Sequence, residues 1–205
     1  MKKLSDDDIK QLAGFFDLLM KCDVRNRKEG KYVNNNMPPH LKPTTTEALT
    51  LPSGKVIEVP KCVVSFDVWK GKPLQDTYGN KQVLDYKGAP LFAELLVRAM
   101  FKENNWDGVW VDSYRKCFRT KMPEKVKEVI ELPEQPKQIY DKIVETTGFR
   151  GCWDVFLWND SDVLFVECKR NKKDKMQESQ LVWLETCLKF GLLPHNFLFV
   201  EWDVK

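Results

Sequence analysis

Gly151 to Gly191 reads GCWDVFLWNDSDVLFVECKRNKKDKMQESQLVWLETCLKFG, and the organisation of the chain follows from it. Two apolar runs, 152–158 and 162–168, flank the turn formers Asn159, Asp160 and Ser161, which predicts a β-hairpin. Pairing Asn159 with Asp162 sets Trp158 opposite Val163 and Asp154 opposite Glu167. A two-residue loop and a four-residue loop centred on Asp160-Ser161 give the same register. Side chains alternate along a strand, so Lys169 shares the face of Glu167 and Asp154. Directly opposed Cβ atoms lie about 4.5–5.5 Å apart. Two carboxylates that close on an apolar hairpin repel unless something neutralises them. A hard divalent cation does so, Mg²⁺ taking one or two carboxylates and keeping several waters. Lys169 adds a positive charge and a proton-transfer group beside the same place. The plainer alternative is acid–base pairing on an exposed sheet face, which contributes about 0–1 kcal/mol. Both carboxylates sit inside hydrophobic runs rather than at strand ends, which favours the cation.

After the hairpin comes a polar turn, 171–175, in which Asp174 with Gln177 resembles an N-cap and its return partner. An amphipathic helix then carries Leu181, Trp183, Leu184 and Leu188 and is stopped by Gly191. Gln180 lies three and four residues before Trp183 and Leu184, so it faces the sheet with them. Asp154 with Glu167-Cys168-Lys169 forms a D-x(12)-E-x-K set that looks like the PD-(D/E)xK nuclease signature. The longer pattern resembles the VRR-NUC branch of that superfamily, whose residues run G-x-P-D, E-V-K, Q-x-x-W-L and a closing Gly. Here those positions hold Gly151-Cys152-Trp153-Asp154, Glu167-Cys168-Lys169, Gln180-Leu181-Val182-Trp183-Leu184 and Gly191. Trp153 stands where the family usually has Pro. The resemblance is close over this stretch, looser back to Glu94, and does not extend to the N-terminal region.

The resemblance implies an α/β fold with a restriction-endonuclease-like core, a mixed central sheet flanked by helices. It implies a Mg²⁺- or Mn²⁺-dependent endonuclease in which metal-bound water attacks a phosphodiester. Asp154, Glu167 and the Cys168 carbonyl would hold the metal, and Glu94, Asp154, Glu167, Lys169 and Gln180 would form the catalytic set. Glu94 enters because the first core helix of such nucleases often carries a Glu that reaches the metal. Its plain alternative is a salt bridge to Arg98 four residues on. Stand-alone relatives resemble junction-resolving enzymes and are commonly dimers, so branched or nicked DNA is the expected substrate and a homodimer an expected state. A catalytically inactive nucleic-acid-binding or assembly protein on a nuclease-like fold is the competing reading, since fold alone does not guarantee activity.

The turn Lys169-Arg170-Asn171-Lys172-Lys173-Asp174-Lys175 has five cations in seven positions and leaves the acidic strand directly. Arg170, Lys172, Lys173 and Lys175 are therefore candidates for backbone phosphates; a solvated charged loop is the alternative. The chain's net charge of +3 over 205 residues does not by itself point to nucleic acid, so a local basic patch has to. An apolar content of 42 % supports a sizeable core, and 31 % charged with 12 % aromatic residues argues against general disorder. The six cysteines show no CxxC or Cys/His spacing, which reads as reduced, buried thiols of an intracellular protein of cytoplasm or nucleoid. Only two His argue against a zinc site. No apolar run approaches the roughly 20 residues of a membrane span, and no signal-peptide pattern opens the chain.

Two regions are expected. Residues 1–85 form an N-terminal accessory region. In it, a helix capped by Ser5-Asp6-Asp7-Asp8 carries the stripe Ile9, Leu12, Phe16, Leu19 and Met20, for packing on the body or on a partner chain. A loop over 26–46 holds His40, read as a surface histidine. Short strands follow at 48–51, 55–59 and 63–69, then a Tyr78-Gly79-Asn80 turn. Trp69 and Tyr78 are read either as core supports or as surfaces for stacking bases. Residues 86–205 form the nuclease-like domain. Its expected elements are a helix at 90–102 with Pro near its start, a strand at 107–117 with Asp112 as a second acidic candidate near its end, a variable excursion at 123–136, a short helix at 138–147, the hairpin, the Gln180 helix, and a strand at 196–204. The Gln180 helix, as a crossover, predicts parallel pairing of the strands on either side of it.

Overall fold

The computed structural model describes residues 37–74, 78–123 and 129–205. The helix expected near residues 5–20 lies outside them. Nine strands form one mixed sheet: β1 (Thr45–Thr50), β2 (Val56–Val68), β3 (Leu84–Tyr86), β4 (Ala89–Leu91), β5 (Asp107–Asp112), β6 (Cys117–Arg119), β7 (Val155–Trp158), β8 (Val163–Arg170) and β9 (Phe197–Val204). The order is β4-β3-β2-β9-β8-β7-β5-β6, with β1 paired to β2. The helices among the described residues are α1 (Ala93–Lys102), α2 (Glu134–Thr147) and α3 (Glu178–Lys189). The chain is thus mixed α/β.

The hairpin has the expected register, with Trp158 opposite Val163 and Val155 opposite Val166. Asp154 lies one residue before β7, and its carbonyl accepts from the Val111 N–H at 2.8 Å, extending the ladder to β5. The crossover through α3 makes β8 and β9 parallel, as expected. On β7 and β8 the side chains alternate between two cores. Phe156 and Phe165, stacked at 4.5 Å between centroids, pack with Ile139, Tyr140 and Ile143 of α2 and Trp183, Leu184 and Cys187 of α3. Val155, Leu157, Leu164 and Val166 pack with Ala93, Leu96, Val97 and Phe101 of α1. Helices therefore cover both faces, and each fully buried Phe or Leu contributes about 1.5–3 kcal/mol.

Several expectations change. The short strands at 55–59 and 63–69 are one 13-residue strand, β2. Pro60 removes one N–H from its ladder without ending it. β2 pairs in parallel with β9, Lys61 opposite Phe199 through Phe66 opposite Val204, so the sheet runs across the boundary expected at 85/86. Pro90 belongs to β4 rather than to the helix: the Lys87-Gly88 turn, with φ of 54° and 81°, folds Ala89–Leu91 back on β3. The strand expected over 107–117 stops at Asp112. The Asp112 carboxylate accepts from the Arg115 N–H (3.1 Å) and from Arg119 Nε (2.9 Å), closing a turn into β6. Asp112 is thereby spent on that turn rather than on the acidic cleft. α2 starts at Glu134, with Pro136 in its first turn, where no helical N–H is required of it. Among the described residues no helix is long and apolar enough to cross a membrane. Cys62, Cys152, Cys168 and Cys187 are buried free thiols, and Cys117 is a partly exposed one.

Candidate functional site

A cleft of about 500 Å³ opens at the carboxyl end of β8 and is lined by Glu94, Asp154, Glu167, Cys168, Lys169 and Gln180, among others. The carboxyl ends of parallel strands, where helices cross over, are the common place for ligands in α/β sheets. β8 delivers Glu167 and Lys169 to the face that α3 covers, and α1 reaches the same cleft from the other face through Glu94 in its first turn.

Packing brings Asp154 into place. Trp153 is wholly buried, its ring 5.1 Å from Phe197, and its Nε1 donates to the Gln180 carbonyl at 3.4 Å. Gly151, at φ 85°, lies so close to α3 that a Cβ there would stand 2.1 Å from the Ser179 carbonyl oxygen. Only glycine allows the segment before Asp154 to press on the first turn of α3. Asp154 Oδ2 then accepts from the Cys168 N–H at 3.0 Å.

Gln180 is the hub of the far side. Its Nε2 donates to Glu167 Oε1 (2.5 Å), while its Oε1 accepts from Lys169 Nζ (3.0 Å) and from the Gln177 N–H (3.0 Å). Gln177 is the N-cap of α3, so the capping box is Gln177 with Gln180. The cap expected at Asp174 is not formed: Asp174 Oδ2 instead accepts from the Arg170 N–H at 2.9 Å and tightens the basic turn. Lys169 Nζ also pairs with Glu167 Oε1 at 2.8 Å. Glu167 Oε2, buried, has no hydrogen-bond partner.

Burial pushes the Asp154 carboxyl well above the usual carboxylate range, and Glu167 and Glu94 push it further. Burial also raises Glu167, although Lys169 and Gln180 act against it. Burial alone would lower Lys169, but the Glu167 and Asp154 charges outweigh it and its pKa rises. Lys169 is accordingly a fixed cation.

Glu94 is buried and pairs with Lys81, not with Arg98 as its plain alternative had it. Arg98 donates to the carbonyls of Gly108 (2.5 Å) and Thr120 (3.1 Å). Lys81 is the residue that sequence reasoning missed. The turn before it was legible, but nothing local says that the next side chain meets an acid 13 residues on. Of the basic turn, Arg170 and Lys173 line the cleft, and Lys172 and Lys175 are exposed. Arg170 is engaged within the chain, by Asp203 (3.5 Å), by Gln82 (3.4 Å) and over the Trp202 ring (5.4 Å). Tyr78 sits against Phe92 and Trp110 as a core support. Trp69 donates to the Lys72 carbonyl at 2.9 Å.

Among the described residues no group of three or more His, Cys, Asp or Glu side chains is drawn together as a metal cluster. The chemistry expected here needs only two acid side chains and a backbone carbonyl, and the unpartnered Glu167 oxygen beside Asp154 fits that donor set. Compared with protein-family models, curated proteins and solved structures, the chain matches none.

Proposed function

We propose that this protein is a Mg²⁺- or Mn²⁺-dependent nuclease with a restriction-endonuclease-like core, hydrolysing phosphodiester bonds of branched, nicked or otherwise structured DNA. The observation that carries the reading is Glu167 Oε2, a buried acceptor with no partner, next to Asp154, whose burial disfavours its charge. Lys169 pairs with Glu167 Oε1 only, so Oε2 remains a buried polar atom without a partner, which costs about 2–7 kcal/mol, and a divalent cation would remove that cost. Asp154, Glu167 and the Cys168 carbonyl would hold the ion, which would supply Lewis-acid polarisation of a phosphate oxygen and a water of lowered pKa. Lys169, kept protonated by Glu167 and aligned by Gln180, suits stabilisation of charge on the phosphoryl group better than removal of a proton. Lys172, Lys173 and Lys175 are free to follow the phosphate backbone as the strand leaves the cleft. The resemblance to VRR-NUC proteins supports the same reading and adds a homodimer to it.

One observation favours a second reading, a non-catalytic nucleic-acid-binding or assembly protein. Lys81 and Lys169 already neutralise Glu94 and Glu167 within the chain. A substrate panel decides between the two: plasmid, linear duplex, single strand, flap and four-way junction, each with Mg²⁺, Mn²⁺ or EDTA. Cutting that requires a metal and is lost in Glu167→Ala supports the nuclease. Binding without cutting in every lane supports the second reading.

A further inference from the structure

The turn Tyr78-Gly79-Asn80 has φ values of 53°, 78° and 64° in succession. Left-handed backbone is uncommon outside glycine, and here two of the three residues carry side chains. Tyr78 anchors the turn, with its ring 6.1 Å from Phe92 and 5.9 Å from Trp110. The residue that the turn projects is Lys81. Its ammonium pairs with Glu94 and stands 5.4 Å from the centroid of the Trp110 ring. Burial alone would lower the Lys81 pKa, but Glu94 and Asp154 outweigh it and raise it, so the ammonium feels both acids of the near side of the cleft.

Two of the lysines that line the cleft, Lys169 and Lys81, are held differently. Lys169 stands on a regular strand and is clamped by Gln180. Lys81 hangs from a turn and keeps 39 % of its side chain exposed, while Glu94 beneath it keeps 7 %. The Lys81 side chain therefore has a route into water that the buried Glu94 beneath it lacks. Three carboxylates, Glu94, Asp154 and Glu167, face the ammonium groups of Lys81 and Lys169, so this inner cluster of five carries one negative charge in excess when all are ionised.

On the metal-dependent reading above, we propose that Lys81 is an internal placeholder for a divalent ion: its ammonium holds Glu94 in the metal-free protein and yields it as the ion binds. Lys81 then becomes available to the phosphate anion of the substrate. With the ion, both lysines and one phosphodiester in place, the cluster is neutral.

Mn²⁺ titration of the full chain, followed by the electron-paramagnetic-resonance signal of the free ion, tests this in the parent, Lys81→Met, Glu94→Gln and the double variant. Removing a competing ammonium from a part-exposed pair is expected to tighten Mn²⁺ binding about three- to tenfold. In the Glu94→Gln background the same substitution is expected to give a clearly smaller gain, because only the longer-range interaction with Asp154 is left. Lys81→Met binding no tighter than the parent overturns the inference and leaves the nuclease reading standing. A gain that persists in full without the Glu94 charge also overturns it, because the effect would then be general to any nearby cation. Absence of Mn²⁺ binding in both parent and Lys81→Met overturns the metal reading and this inference together.

Discussion

Asp154 Oδ2 accepts a hydrogen bond from the Cys168 backbone N–H at 3.0 Å. The bond ties the residue entering β7 to the middle of the acid–lysine run on β8, so the two acids cannot drift apart without breaking the ladder between them. It uses one Asp154 oxygen on the backbone; the Cys168 carbonyl, a metal ligand on the reading above, belongs to the next peptide unit. Several consequences of this close approach are measurable.

Replacing Asp154 with Asn keeps an acceptor for the Cys168 N–H and removes the buried charge that Glu167 and Glu94 oppose. Asp154→Asn is expected to raise Tm in EDTA by about 2–4 °C, the shift of a roughly 1 kcal/mol gain in a chain of this size. It is also expected to abolish the further rise that Mn²⁺ gives the parent. Differential scanning calorimetry with and without Mn²⁺ checks both; a lower Tm in EDTA would mean that the aspartate charge is stabilising.

The raised Asp154 pKa fixes the sign of this residue's contribution to the pH dependence. Above the ordinary carboxylate value of about 4 the unfolded chain has lost the proton while the folded chain still holds it. Stability is therefore full at and below that value and falls as pH rises through the elevated folded value. Asp162, raised by burial to about 6 even though Val163 and Asn196 hydrogen-bond to it, acts in the same direction. In EDTA, the Tm of Asp162→Asn relative to the parent is expected to rise as pH increases from about 4, and that of Asp162→Asn with Asp154→Asn to rise further. Mn²⁺ is expected to shrink the difference that Asp154→Asn makes. A difference that falls over that interval would contradict the assignment.

Gln180→Ala deletes the bridge between Glu167 and Lys169 together with the α3 capping box. The expected loss of stability is about 1–3 kcal/mol, from leaving buried polar groups unpaired. If Lys169 acts in the reaction, kcat falls while KM changes little, because Lys169 is still present but no longer aligned. Equal losses in Gln180→Ala and in a helix-capping variant at Gln177 would assign the whole effect to folding.

The basic turn separates two kinds of cation. The triple variant Lys172→Ala, Lys173→Ala, Lys175→Ala is expected to leave Tm nearly unchanged. It should lower the salt slope of DNA binding by about 1 for each phosphate contact removed. Arg170→Ala is expected to lower Tm instead, since Arg170 packs over Trp202 and pairs with Asp203. Filter binding at several salt concentrations, beside a thermal melt, distinguishes them. A triple variant with the parent's slope would remove this turn from the interface.

What could be read along the chain was whatever depends on near neighbours. Alternating apolar residues and an Asn-Asp-Ser turn specify the hairpin and its register, because a slip of one residue would turn every core side chain to the wrong face. The register alone puts Asp154 beside Glu167 and Lys169, and helical spacing alone turns Gln180 to the sheet. What the tertiary structure decided lies at long range. β2 joins β9 across more than half the chain, Lys81 meets Glu94 from a separate turn, and Arg170 is drawn away to Asp203 and Trp202. In each case the partner is chosen by which surfaces the packed core brings together, and no local spacing carries that choice. The glycine at 151 shows the two levels meeting: its identity is visible in the sequence, and its reason, a backbone oxygen of Ser179 where a side chain would stand, exists only once α3 has docked.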